Sequence, residues 1–320
     1  MLTRAARLAA AAAGFGAAFK LLHDPTGASA VDRPETVRLP AGGFAVPGRP
    51  GLPVLVIVHG TQPRRMLEAA FDALGGLERF IRPGERVVLK PNVAFDRLPS
   101  LGATTSPEVL AAAAQLAVAA GAQEIRVADN PINSPEGCFH RSGIQAAAQE
   151  AGARVILPSP SQFRLLEVEG AQLIARWPMF HRPFADADRV IGIAPLKDHN
   201  LAGASMTMKN WYGLLGGHRN QFHQHIHEIV AELALMMRPT LVILDAMRAL
   251  VSNGPTGGSL TDVKRLDTLV VATDQVAADA YGYEMLLGRD PARLPYLALA
   301  ESLGAGKRAW RTLPYRELTV

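Results

Sequence analysis

Apolar residues in this chain fall into short continuous runs that alternate with stretches of helical spacing. VLVIVHG, from Val54, ends on a glycine and is followed by RRMLEAAFDALGGLERF, whose apolar positions recur every three to four residues, so a strand and then a helix are predicted. RVVLKPN repeats the strand signal. SPEVLAAAAQLAVAAGA then opens on a serine N-cap with proline at the first helical position. EIRVADN, GIQAAAQEAGA and RVILPSP continue the rhythm as strand, helix and strand. Past residue 160 the pattern is interrupted by LLEVEGAQLIARWP, which predicts a hairpin or β-arm. It resumes with RVIGIAPL, TLVILDAM and TLVVATD, the last followed by the helical QVAADAYGYEMLLG. Alternating helices and buried β-branched strands predict an α/β fold: a mainly parallel sheet of six or more strands with helices on both faces. The length allows one domain over 51–320, or two α/β lobes of about 51–160 and 161–320 with a ligand cleft between them.

Residues 1–50 precede this rhythm. Arg4 and Arg7, an apolar Ala/Gly-rich run from Leu8 to Phe19, and a polar segment ending in Ala28-Ser29-Ala30 follow the order of an export signal. The run is shorter than the roughly 20 apolar residues of a membrane span, although a stretch to Leu22 could anchor if Lys20 snorkels. The expectation is a signal or anchor plus linker, and an exported (periplasmic) or membrane-anchored protein. The alternative is an ordinary N-terminal helix on a cytoplasmic one.

Composition narrows the chemistry. With 33 basic and 29 acidic residues, no long charge run and no interleaving of basic and aromatic residues, nucleic acid is not an expected partner. Cys138 is the only cysteine, which excludes an intrachain disulfide and any iron–sulfur cluster bound by this chain alone.

In parallel sheets ligands bind beyond the carboxyl ends of the strands, where loops converge and helix N-termini present free N–H groups. Those positions hold Lys90-Pro91-Asn92, Asp129-Asn130, Lys197-Asp198-His199, Asp245 and Asp274. Asp274, directly before QVAADA, suits an N-cap as well as a site. In ASMTMKNWYGLLGGHRNQFHQHIHE, Lys209 and Asn210 lie between apolar residues with glycines close behind, a composition suited to an anionic ligand. FHQHIHEIVAELALMM is predicted helical, with His223 and His227 one turn apart and His225 directed elsewhere. That spacing suits a divalent metal, with Asp245 as a further ligand, but equally acid–base work or a structural role. SNGPTGG, with Gly254 and Gly257, is a loop that could line the same rim.

LKPN, TTSPEVL, ADN, APLKDHNLAGASMTMKNWYGLLGG, LDAMRALVSNGPTGG and TDQVAADAYGYEMLLG resemble, in this order, the motifs of the domain of unknown function 362 family, over about 54–305. The resemblance implies an α/β protein of bacteria and archaea, sometimes exported, and in some relatives fused to a ferredoxin-like domain. It implies no particular activity. The cysteine motifs of the fused relatives are absent here, and Lys197-Asp198-His199 stands where Lys-Thr-His is usual. The family's polar motif positions correspond to Lys90, Asn92, Asp129, Lys197, His199, Lys209, Asn210, His223, Asp245 and Asp274.

Three functions fit these residues. The first is an enzyme for a small anionic substrate, with Lys197, His199, Lys209 and His223 as catalytic candidates. Lys90, Asn92, Asp129, Asn210, Asp245, Gly254 and Gly257 would bind that substrate. The second is a noncatalytic exported ligand- or metal-binding protein. The third is an accessory protein of an electron-transfer system, working beside a redox partner that carries the cluster.

Overall fold

The structure, a computed structural model, describes residues 35–320. The predicted alternation is present as β2 (Leu55–His59), α1 (Pro63–Ala73), β3 (Arg86–Lys90), α2 (Pro107–Ala119), β4 (Glu124–Ala128), α3 (Pro135–Arg141), α4 (Ile144–Glu150) and β5 (Arg154–Ile156), after a short β1 (Thr36–Val37). β6 (Phe163–Glu167) and β7 (Arg176–Phe180) form the expected hairpin, which β1 extends to a separate three-stranded sheet. β8 (Arg189–His199), β9 (Gly203–Ser205), α5 (Thr207–Asn210), α6 (Ile226–Met236), β10 (Leu241–Leu250), β11 (Val263–Ala272), α7 (Gln275–Tyr281), α8 (Pro295–Ser302) and β12 (Tyr315–Thr319) complete the described chain.

Nine strands make the main sheet, in the order β12-β2-β11-β10-β8-β3-β4-β5, with β9 paired to β8. Because strand side chains alternate between faces, successive residues enter different cores. Val56, Val58, Val87, Leu89, Ile191 and Ile193 pack with α1 to α4, while Leu55, Ile57, Val88, Val190, Val242 and Leu244 pack with α5 to α8. Each such side chain withdrawn from water contributes about 1.5–3 kcal/mol.

Most pairings are parallel, but β11 runs antiparallel to both β10 and β2. The strand expected at TLVVATD begins earlier, at Val263, because the preceding polar residues extend a long hairpin with β10. Residues 251–262 contain no α-helix, so the chain returns directly instead of crossing over. The two expected lobes share one sheet: β2 to β5 come from the first half, and β8 to β12 from the second.

The expected signal or anchor falls on residues 1–34, outside the described residues. Residues 35–50, expected as linker, belong to the fold. Thr36 pairs with Leu165, and Phe44 is buried with its N–H on the Arg238 carbonyl at 2.7 Å. Among the described residues no helix is long and apolar enough to cross a membrane.

The order of the strands creates one special place. From β3 the chain steps through β4 to β5 on one side, whereas β8 enters on the other side of β3 and leads to β10 beyond it. The crevice past the carboxyl ends of β3 and β8 is therefore the topological switch point of the sheet.

Candidate functional site

Lys90 closes β3 and is fully buried. Its ammonium has three partners: Asp129 Oδ1 at 2.7 Å, the Pro91 carbonyl at 2.8 Å and Asn210 Oδ1 at 2.8 Å. Asp129 follows β4 and accepts the Val93 N–H at 2.7 Å through its other oxygen. Asn210 also accepts from Asn92 Nδ2 at 3.2 Å and donates to the Lys90 carbonyl at 3.1 Å, which ties the end of β3 to α5. Burial lowers the Lys90 pKa, and the Asp129 charge opposes that shift.

β8 overhangs the end of β3, since Lys90 pairs with Gly192 and β8 continues to His199. Lys197 and His199, two residues apart, share a strand face, whereas Asp198 points the other way. Asp198 accepts from Arg289 at 2.7 Å and from the Gly254 N–H at 3.1 Å, so the residue that departs from the family pattern fastens the 252–258 loop. Lys197 is buried, and its amine donates to the Ala103 carbonyl at 2.6 Å and to Asn92 Oδ1 at 3.2 Å, with the Phe95 ring centre 5.0 Å away. Among the described residues no carboxylate pairs with it, and burial followed by the Lys209 charge brings its pKa down to about 7. His199 Nδ1 accepts the N–H groups of Leu201 and Ala202, each at 3.2 Å. A neutral ring then carries its hydrogen on Nε2 and presents a donor. Burial and the charges of Lys209 and Lys197 push its pKa down to about 2, so it is neutral at pH 7.

Lys209, on α5, lies with its amine 5.0 Å from the centre of the Tyr212 ring. Burial, then Arg219 and Lys90, bring its pKa down to about 8. Arg219 is held by four carbonyls, those of Tyr212, Leu215, Asn130 and Pro131, at 3.0–3.3 Å. His223 is exposed, stacks on Tyr212 with ring centres 6.0 Å apart, and has its pKa lowered by burial and by Lys209 and Arg219. Gly213 passes so close to the buried pair that a Cβ there would lie 2.2 Å from Asp129 Oδ1 and 2.9 Å from Lys90 Nζ.

Other expected residues take different places. Asp245 is buried, and its oxygens accept the Ser106 and Met247 N–H groups at 2.7 and 3.1 Å. Gly254 packs against Asp198, where a Cβ would meet the Asp198 carbonyl oxygen at 1.9 Å, and Gly257 adopts φ +58° beside Leu250. His223 and His227 are not on one α-helix: residues 219–225 form a 3₁₀ turn, and α6 starts after a break at His225. His227 faces Tyr296, with ring centres 6.1 Å apart. Among the described residues no group of three or more His, Cys, Asp or Glu could hold a metal ion, so His223, His227 and Asp245 are not gathered.

Three contributors escaped the sequence pattern. Arg219 stood within the quoted stretch but lacked a strand end to mark it. Thr105 accepts the Asn92 N–H and donates to the Ile193 carbonyl, at 2.8 and 2.7 Å. Asp279, in the middle of α7, receives the Thr207 and Met208 N–H groups and so fixes the start of the short helix carrying Lys209 and Asn210. Burial raises the Asp279 carboxyl to about 7.

The assembled site holds Lys90, Lys197, Lys209 and Arg219 around one carboxylate, Asp129. Its two innermost amines are enclosed by the fold and do not line an open cleft. A groove of about 1070 Å³ lies elsewhere, between residues 38–43, the facing ends of β6 and β7, and the end of α6. Residues 87–284, which include every residue of the Lys/His site, match the family model described as Domain of unknown function (DUF362). The chain is also 30% identical over 272 residues to a thylakoid-associated protein of Synechocystis sp., covering 79% of this chain and 80% of that one.

Proposed function

The chain belongs to the family described as Domain of unknown function (DUF362), and from that premise we propose that it is an enzyme acting on a small anionic substrate at the β3/β8 switch point. The observation that carries this is the charge balance: Asp129 is taken up by Lys90, and among the described residues Lys197, Lys209 and Arg219 have no carboxylate in an ion pair with them, although burying unpaired cations costs several kcal/mol each unless a partner arrives. An anion supplies that partner. Lys209 and Arg219 receive its charge, and His199 Nε2–H donates to an oxygen developing negative charge. Lys197, whose pKa burial brings down to about 7, accepts or delivers a proton through its hydrogen-bonded partners.

The same cations also suit a noncatalytic anion-binding protein, and turnover separates the two. Thermal denaturation with inorganic phosphate and with small carboxylates tests the shared premise. A saturable rise in Tm is expected for the parent and a loss of that rise in Lys209→Met, which keeps most of the side-chain volume. Equal shifts in both proteins would remove Lys209 from the site.

For location, we propose export or attachment at a membrane, supported by the order of residues 4–30 and by the thylakoid association of the Synechocystis relative. Cell fractionation with mass measurement of the mature N-terminus decides it; an uncleaved chain found only in the soluble cytoplasm would end this proposal.

A further inference from the structure

Four large aliphatic side chains stand exposed where the strands end. Leu98, Ile132, Leu201 and Leu260 keep between 50% and 64% of their surface in water. They lie in the loops that follow β3, β4, β8 and β10, one in each, and these four strands are consecutive neighbours in the sheet. Adjacent strands are about 4.8 Å apart, so the ends of all four span about 14 Å. The loops are tied to each other. The Ile132 N–H donates to the Ala94 carbonyl at 3.0 Å, the turn at Pro99–Leu101 lies against the one at Leu260–Asp262, and Asp198 accepts the Gly254 N–H at 3.1 Å. One rim therefore carries four of the nine large hydrophobic side chains that are exposed among the described residues. Exposed aliphatics scattered singly are ordinary, but one in each of four adjoining loops forms a surface.

The charge around them is mostly of one sign. Arg97, beside Leu98, and Lys264, at the start of β11, are exposed and form no ion pair among the described residues. The carboxylates of these strand ends and loops are engaged: Asp96 with Arg141 at 3.6 Å, Asp129 with Lys90 and Asp198 with Arg289 at 2.7 Å each, and the buried Asp262 with Ser252 and Asn253. Glu136, in α3, is exposed and accepts the Ser134 hydroxyl at 2.9 Å. A protein partner is gripped by a continuous core rich in aromatic anchors, whereas these four side chains are aliphatic and set on separate loops. Separate aliphatic side chains among free cations suit a fluid surface that is apolar inside and anionic outside.

We infer that this rim is a membrane-docking surface: Leu98, Ile132, Leu201 and Leu260 enter the boundary between headgroups and acyl chains of an anionic bilayer, and Arg97 and Lys264 meet its phosphates. The inference rests on the membrane location proposed above and names a face of the folded protein for it, separate from the N-terminal segment. That orientation turns the switch point of the sheet toward the bilayer.

The test sediments the full chain with vesicles of phosphatidylcholine, alone or mixed with an equal part of phosphatidylglycerol. Binding to the anionic vesicles is expected to be at least ~10-fold tighter than to the neutral ones and to weaken with salt. A chain carrying Leu98→Asn, Ile132→Asn, Leu201→Asn and Leu260→Asn should bind them ~10-fold more weakly or worse and keep the phosphate-induced rise in Tm. The only cysteine, Cys138, is buried, so a cysteine added at the surface can be labelled alone. With an environment-sensitive dye, Ile132→Cys should shift to the blue on anionic vesicles. Val118→Cys, exposed near the end of α2 and so at the opposite rim, should not. These single variants decide the matter if the fourfold variant does not fold. Undiminished binding by the fourfold variant, or no shift at Ile132→Cys, would overturn the docking face and leave the membrane location to the N-terminal segment. A parent that binds neither vesicle overturns the inference, and the location reading falls with it only if fractionation also finds an uncleaved soluble chain. A dimer of the parent that the fourfold variant does not form would assign the rim to a second copy and overturn the inference as well.

Discussion

The two ends of the same strands treat charge in opposite ways. At their amino ends, arginines meet carboxylates: Arg189 pairs with Glu85 at 2.6 Å, and Arg126 with Glu124 and Asp186 at 2.5 Å each. The Arg126 guanidinium holds both Glu124 and Asp186 below the usual carboxylate range. At the carboxyl ends, three lysines gather with Arg219, and among the described residues only Lys90 of the four is in an ion pair, with Asp129. Balanced, permanently charged pairs hold neighbouring strands together; an unbalanced group of titratable amines is kept at the cost of stability, and a ligand offsets that cost.

The largest expected effect comes from removing the single carboxylate. Asp129→Asn strands the Lys90 ammonium in the core and should cost about 3–5 kcal/mol in urea denaturation, with much of the loss recovered in the Lys90→Met double variant. A loss below 1 kcal/mol would mean that Asp129 is not what supports Lys90.

Second, phosphate affinity should weaken about 5-fold between pH 8 and 9, because binding requires Lys209 charged and its pKa is about 8 in the free protein. Calorimetry in two buffers of different ionisation enthalpy should register proton uptake on binding above pH 8. An affinity flat across this range would assign the anion to Arg219 alone.

Third, stability of the ligand-free protein should rise with pH through a window set by Lys197. Its pKa is about 7 folded against an ordinary 10.5, so between those values the unfolded chain binds more protons and each step upward in pH favours the folded state. From pH 7 to 8 the gain is on the order of 1 kcal/mol, and Lys197→Met should lack it. Parallel slopes for parent and variant would contradict the buried, unpaired amine.

The smallest effect is expected at the opposite rim. Arg126→Met releases Glu124 and Asp186, both partly exposed, to water and should cost about 1 kcal/mol while phosphate affinity stays unchanged. A change in affinity would mean that the two rims are coupled through the sheet.

The strand and helix alternation was legible because hydrophobic period and helix-start signals are local, as Pro107 in the first turn of α2 shows, although the Ser106 side chain before it makes no capping hydrogen bond. Placing Lys90, Asp129 and Lys197 at strand ends was legible for the same reason. The antiparallel direction of β11 was not, since its pattern is that of any buried strand and only the helix-free connection decides its direction. Nor was the division of labour among polar residues at the rim. Asp245 looks like Asp129 in sequence, yet one accepts the backbone N–H groups of Ser106, before α2, and of Met247, in its own strand, while the other neutralises a lysine. His223 and His227 keep helical spacing, but the break at His225 turns them to different neighbours.

By itself the sequence determined the fold class, the family motifs and which residue types reach the rim, because each depends on neighbours within a few positions. Tertiary structure alone decided which buried amine has a carboxylate partner among the described residues and which has none. That depends on how many acceptors surround a nitrogen and how far water is excluded, and the groups that set both for Lys197, Asn92 and Ala103, lie about a hundred residues away along the chain.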